Sequence, residues 1–226
     1  SGAGTQTAAL CFGFSDSPTA TTATYDGSSW TTVPGTVPGS TSQGRGIGTQ
    51  TAAIHVGFAS PGTTSLEYDG SSWTAGGTLN NKRSGQKPGG WGIQTAAIIA
   101  SGYQTPPATL ISNTETYNGT SWTETGHSVL TAVKRTAGTT AGTSSNGMLM
   151  GGSDTPGNAV STVVQKYNGT SWVTQPSLAT SRFNHMGFGT ATNAVVASGQ
   201  SPSITAATEE FTGETTALNI KTITTS

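Results

Sequence analysis

Five copies of one unit constrain this chain more than any other feature. The phrase YDGSSW occupies residues 25–30 and 68–73, returns as YNGTSW at 117–122 and 167–172, and ends as a worn FTGETT at 211–216. A second phrase keeps step with it: GTQTAAL at 4–10, GTQTAAI at 48–54, GIQTAAI at 92–98, GTSSNGM at 142–148 and GTATNAV at 189–195. Trp30, Trp73, Trp122 and Trp172 mark the period, and Thr216 stands in the tryptophan place of the last copy. Self-similarity at a period of 40–50 residues means small supersecondary units that bury their faces only against one another.

Each unit reads as four short strands. The first precedes the GTQT phrase. The second is apolar and ends in small residues, as in AAIIASG (96–102). The third ends at the tyrosine and the fourth begins at the tryptophan. Asp-Gly or Asn-Gly between the last two is a hairpin signal, expected as a type I′ turn with positive φ at both residues. Four-stranded units at this spacing predict an all-β fold: a single five-bladed β-propeller, residues 1–226, with repeats near 1–40, 41–83, 84–134, 135–182 and 183–226. Tyr25, Trp30, Tyr68, Trp73, Tyr117, Trp122, Tyr167 and Trp172 are expected in blade-to-blade packing. The first unit keeps only SGAG for its first strand. The tail ALNIKTITTS (217–226) reads as the last blade's fourth strand, or as a strand reaching over to the first blade. Trp91 aligns with Ala3, Ile47, Ala141 and Phe188 at an apolar first-strand place, so it is expected in the core.

Composition narrows the function. Charged residues make up 8% of the chain and the net charge is −1. Nucleic-acid binding would call for a basic face, and no stretch approaches the ~20 apolar residues of a membrane helix. Neither a nucleic-acid partner nor membrane insertion is expected. Cys11 is the single cysteine, which leaves neither a disulfide nor a Cys-rich zinc site. The chain starts at Ser1 without a signal-like segment, as a fragment or processed piece would.

The units resemble kelch-type β-propeller repeats, which carry a basic residue before the first strand, a diglycine after the second, a Tyr in the third and a Trp in the fourth. The fourth unit matches with Arg135, Gly151–Gly152, Tyr167 and Trp172. The third has Arg83, Ser101–Gly102, Tyr117 and Trp122, and the fifth has Arg182 and Ser198–Gly199. The wording GTQTAA…YDGSSWT is also similar to Thr/Gly-rich propeller repeats of bacteriophage virion and tail-fibre proteins. That resemblance implies a virion or extracellular setting, with other virion or extracellular proteins as partners.

No catalytic constellation emerges. His55, His127 and His185 fall at different repeat positions, so no metal or other cofactor is expected. Glu67, Glu115 and Glu210 lie in third strands, and neither they nor Glu124, Asp154, Glu209 and Glu214 show a motif that pairs them for glycoside chemistry. The Asn-Gly-Thr triplets at 118–120 and 168–170 match a glycosylation acceptor, but turn chemistry explains them equally. The basic segments LNNKR, LTAVKR and LATSR place Lys82–Arg83, Lys134–Arg135 and Arg182 in the connections between blades, with Arg45 as a shifted fourth member. Such connections share one face with the least repeated loops, among them SDSPTATTA (15–23), ASPGTTS (59–65) and SDTPGNAVS (153–161). There the cations either tie loop carbonyls of adjacent blades together or hold an anionic group of a glycan. The candidate ligand contacts are therefore Arg45, Arg83, Lys134, Arg135 and Arg182, with Tyr103 as a stacking platform. The expected function is a non-enzymatic recognition module for a surface glycan. The alternatives are a structural or docking propeller that decorates a capsid or tail, and a polysaccharide lyase or hydrolase.

Overall fold

The computed structural model describes residues 1–13, 19–39, 43–58, 62–83, 87–140, 142–154, 159–201, 203–212 and 220–223, with the backbone alone for 19, 20 and 220–223. They form five four-stranded antiparallel sheets arranged as the blades of a β-propeller. Blade 1 is β1 (Gly2–Gly4), β2 (Ala9–Phe12), β3 (Thr19–Tyr25) and β4 (Trp30–Pro38). Blade 2 is β5 (Arg45–Gly48), β6 (Ala53–Val56), β7 (Ser65–Tyr68) and β8 (Trp73–Ala75). Blade 3 is β9 (Gly89–Ile93), β10 (Ala96–Ala100), β13 (Asn113–Tyr117) and β14 (Trp122–Ser128), and its second-to-third loop holds a small ribbon, β11 (Tyr103–Gln104) and β12 (Thr109–Leu110). Blade 4 is β15 (Ala137–Gly138), β16 (Gly147–Ser153), β17 (Val160–Tyr167) and β18 (Trp172–Gln175). Blade 5 is β19 (Met186–Gly189), β20 (Asn193–Ala197), β23 (Thr208–Thr212) and β24 (Ile220–Ile223), with the ribbon β21 (Gln200–Ser201) and β22 (Ser203–Ile204) between β20 and β23.

The repeated hexapeptide builds the third-to-fourth hairpin, though not as a type I′ turn. Tyr and Trp close the ladder opposite each other, and four residues form the loop. Only the glycine has positive φ, for example 98° at Gly70. The residue before it turns the chain with its side chain: Asp69 Oδ1 accepts the Ser71 and Ser72 N–H at 2.8 Å each. Asn118 and Asn168 do the same in blades 3 and 4. An Asx cap needs no left-handed residue at its own position, so the expected second positive φ is absent. In blade 5, Phe211 stands opposite Ile220 rather than Thr216, so the register puts Ile220 in the tryptophan place. Thr216 and Ala141 lie outside the described residues, as do parts of the variable loops. The tail pairs with β23 as its own blade's fourth strand.

The second phrase is a clasp. Gln50 Nε2 donates to Ala9 O (3.2 Å) and Tyr25 O (2.6 Å), and Gln94 Nε2 donates to Ala53 O (3.1 Å) and Tyr68 O (2.8 Å). Each glutamine thus satisfies carbonyls of the preceding blade. The first strands line the axis with one glycine each: Gly2, Gly46, Gly90, Gly138 and Gly187. A Cβ on Gly46 would lie 2.5 Å from Gly2 O, so only glycine allows the inner strands to approach so closely.

Four interfaces between successive blades are dry. Leu10, Phe12, Tyr68 and Trp73 join blades 1 and 2. Ile47, Ile54, Ile99 and Trp122 join blades 2 and 3. Trp91, Ile98, Leu149 and Trp172 join blades 3 and 4. Met148, Met150, Val164 and Val196 join blades 4 and 5. Each Trp packs on its own Tyr, with ring centroids 4.8–5.2 Å apart. Trp73, Trp122 and Trp172 also donate to a third-strand hydroxyl of the preceding blade: Thr22 (2.9 Å), Ser65 (3.4 Å) and Thr114 (3.0 Å). Trp91 is core as expected, but blade 4 departs from the sequence alignment. Gly138 pairs with Leu149, which puts Thr139, not Ala141, at the place of Trp91. The Trp91 indole fills that space and donates to Thr143 O (3.0 Å). A Cβ on Gly147 would lie 2.0 Å from it, which is why Gly147 stands where other blades have alanine.

Among the described residues, the fifth interface is not made. Trp30, in the same repeat position as the three buried tryptophans, is 55% exposed, and Phe188, in the place of the buried Ile47 and Trp91, is 45% exposed. Trp30 therefore packs on Tyr25 alone, contrary to the role expected from its repeat position.

Candidate functional site on the axial face

The connections between blades reach the axis on the face opposite the hexapeptide turns, and two of them are anchored by a buried ion pair. After Leu79, the Asn80 and Asn81 N–H donate to Glu115 Oε2 (2.7 Å) and Oε1 (3.0 Å). Arg83 donates to the same carboxylate at 3.1 Å, to Ser101 O at 2.5 Å and to Asn113 O at 3.2 Å. Blade 5 repeats the arrangement. Ala179 and Thr180 N–H donate to Glu209 (2.6 and 3.1 Å), and Arg182 donates to Glu209 (2.5 Å), Ser198 O (3.0 Å) and Ala207 O (2.7 Å). Both guanidiniums are fully buried. The expected tie between adjacent blades is not what Arg83 and Arg182 make: each guanidinium holds carbonyls of the one blade that follows it, Ser101 and Asn113 in blade 3 and Ser198 and Ala207 in blade 5. As ligand contacts they are corrected, because no face of either is left for a ligand.

Blade 4 makes the same anchor without charge. Val129 occupies the place of Leu79, as its N–H to Ser112 O shows, and Leu130 points to solvent. Val133 therefore stands in the arginine place and Gln165 in the glutamate place. Gln165 accepts from Thr131 N–H and donates to Thr131 O, both at 2.8 Å. The alignment of Arg135 with Arg83 is corrected by two residues.

That shift gives Arg135 a different place. Gln43, Lys87, Arg135 and Asn184 each stand two residues before a first strand, each with φ between 45° and 65°. They form a collar around the axis. Lys87 N–H donates to Gln43 O (2.8 Å), Thr136 N–H to Lys87 O (3.3 Å) and Asn184 N–H to Arg135 O (3.0 Å). Within the ring, Arg45 donates from Nε to Gly90 O and from its terminal nitrogen to Gly138 O, both at 3.0 Å, and so bridges three blades. Burial lowers its pKa to about 10, so it stays charged. The Lys87 ammonium is pushed down first by burial, then by Arg135 and Arg45. The Ser1 ammonium, which donates to Phe12 O, is lowered mainly by burial and further by Lys87 and Arg45. Positive charge thus converges at the mouth of the axis. Lys87 escaped the sequence reading, although its spacing before Gly89 matches that of Arg135 before Ala137.

Two of the candidate cations lie against aromatic rings. The Lys134 ammonium sits 4.5 Å over the Tyr103 ring, so a cation already covers one side of the expected stacking platform. The Arg135 guanidinium lies 5.6 Å from the Phe183 ring centre. Two further carboxylates are engaged within the fold. Glu67 accepts from the Tyr117 hydroxyl, and Glu124 accepts from Asn81 (3.1 Å) and from Asn113.

His127 Nδ1 meets the Tyr167 hydroxyl at 2.8 Å, while His55 stacks between Phe12 and Phe58 with neither ring nitrogen bonded. His185, bonded to Met150 O at 2.8 Å, has its pKa lowered from 6.5 to about 4, chiefly by burial. The folded protein keeps this ring neutral while the unfolded chain takes up a proton near 6.5. The unfolded state therefore binds more protons between those values. Stability is full above pH 6.5 and falls toward pH 4, by up to ~3 kcal/mol. Burial of His55 adds in the same direction. Urea titrations at pH 7.5 and 4.5 should show the loss, and His185→Leu should reduce it. An unchanged difference in that variant would remove His185 as a source.

No family model and no curated protein matches this chain.

Proposed function

We propose that this propeller is a non-enzymatic recognition module, virion-associated or extracellular, that holds an anionic group of a surface glycan at its axial mouth. The observation that carries this reading is the collar, whose backbone carries Lys87 and Arg135 at equivalent places of successive blades, and where both charges that act on Lys87, those of Arg135 and Arg45, are positive. Carboxylate or sulfate answers such a site by charge and by hydrogen bonding. The rigid blades hold the collar while the neighbouring loops vary, a usual arrangement for recognition. The virion setting rests on the similarity of the GTQTAA…YDGSSWT wording to bacteriophage tail-fibre repeats. A titration with sulfated and carboxylated oligosaccharides tests it. Lys87→Ala with Arg135→Ala should weaken binding at least tenfold, and Lys166→Ala should not. Absence of binding to any acidic glycan under multivalent display would overturn it.

The second reading is a docking or structural propeller without a small ligand. One observation favours it: Trp30, Met186 and Phe188 are exposed together at the unmade interface.

A further inference from the structure

The two sides of the open seam carry the residues that the other interfaces bury. On blade 5, Met186 (56% exposed) and Phe188 face outward, with Val195 and Ala197 half-buried. The equivalents of Val195 and Ala197 in the first three blades, Leu10 and Phe12, Ile54 and Val56, Ile98 and Ala100, are fully buried against the following blade. On blade 1, Cys11 is half-buried where His55, Ile99, Leu149 and Val196 are covered by the preceding blade. A Cβ on Gly2 would meet only its own blade, whereas one on Gly46 would meet the blade before it.

The hydrogen-bonding pattern matches these faces to each other. A hydroxyl stands three residues before the third-strand aromatic wherever the next blade carries a tryptophan: Thr22 for Trp73, Ser65 for Trp122 and Thr114 for Trp172. In blade 4 that place holds Val164, and blade 5 has Ile220 opposite its aromatic instead of Trp. In blade 5 the hydroxyl returns as Thr208. The tryptophan without such a bond among the described residues is Trp30.

We propose that blade 5 of one copy packs on blade 1 of a second copy, head to tail, with Trp30 of one donating to Thr208 of the other. The contact continues the series of four blade interfaces already present, so its chemistry is theirs: an aliphatic and aromatic patch and, as at three of the four, one indole hydrogen bond. A second copy can enter the seam as a rigid body. Closure within one chain would require all four packed interfaces to change angle together. A contact between two different faces is heterologous and propagates into a ring or a chain of copies.

Sedimentation velocity on the full chain tests this. The wild type should associate with rising concentration. Trp30→Ser and Phe188→Ser, both at exposed positions, should keep the wild-type circular dichroism and melting temperature yet each remain monomeric. Mixed together they should form a 1:1 dimer and nothing larger, because one retains the blade 5 face and the other the blade 1 face. A wild type that stays monomeric overturns the proposal, whether Trp30 fluoresces as buried (the ring closes on itself) or as exposed (another partner or none). Self-association of either variant alone, or failure of the mixture to pair, overturns it as well.

Discussion

Arg83→Val should destabilise the protein by about 3–5 kcal/mol, and adding Glu115→Gln should restore most of that loss. The single change leaves the Glu115 carboxylate fully buried and without its cation, the costly half of a broken buried pair. Asn80, with its backbone and side-chain amides, and Asn81 still donate to it, but three amide donors do not neutralise a charge removed from water. The double change reproduces what blade 4 already contains, Val133 with Gln165, where an amide serves the connection through Thr131 N–H and C=O. Glu115→Gln alone should also be costly, because it strands the buried guanidinium. Urea denaturation of the four proteins forms a double-mutant cycle. A single-variant loss under ~1 kcal/mol, or a double variant as unstable as the sum of the singles, would refute the view that the ion pair and the Val/Gln pair are interchangeable anchors.

Trp122→Ala should cost about 3–5 kcal/mol, whereas Trp30→Ala at micromolar dilution should cost under ~1 kcal/mol. The two residues occupy the same repeat position and the same hairpin. Trp122 is buried between blades 2 and 3 and bonded to Ser65, and its loss opens a cavity that the neighbouring Ile54 and Ile99 cannot fill without moving both blades. Trp30 rests on Tyr25 with its outer face in water. Denaturant midpoints measured on dilute protein separate them. Equal losses would mean that the seam is closed within the chain in solution.

Much of this architecture was legible in the sequence because its causes are local. Asp69 or Asn118 turns the chain with its own side chain, and the Tyr–Trp pair closes the same hairpin. Alternating apolar residues then place each strand. These need only neighbouring residues, and the chain repeats them in full four times. Misalignments arose where connections differ in length. Arg135 looked equivalent to Arg83 because both end a basic dipeptide after a leucine, yet Leu130 faces solvent and Val129 holds the anchor. Thr216 looked like a worn tryptophan by spacing, yet the blade 5 hairpin loop is longer and Ile220 takes the register. Trp91 aligned with Ala141 because the eye follows glycines, whereas two extra residues in the blade 4 turn move Thr139 there.

The sequence by itself determined the number of units, their four-strand order and the place of the hairpin in the first four, since all three follow from short-range periodicity and side-chain chemistry. Only the tertiary structure decided what the charged residues do. Arg83 and Arg182 are drawn inside because Glu115 and Glu209, some thirty residues downstream, stand beside them, and Lys87 and Arg135 share a collar because equivalent backbone positions of successive blades meet at the axis. It also decided that one tryptophan of four stays exposed, for burial depends on which blade stands next to it and not on the hexapeptide in which it is written.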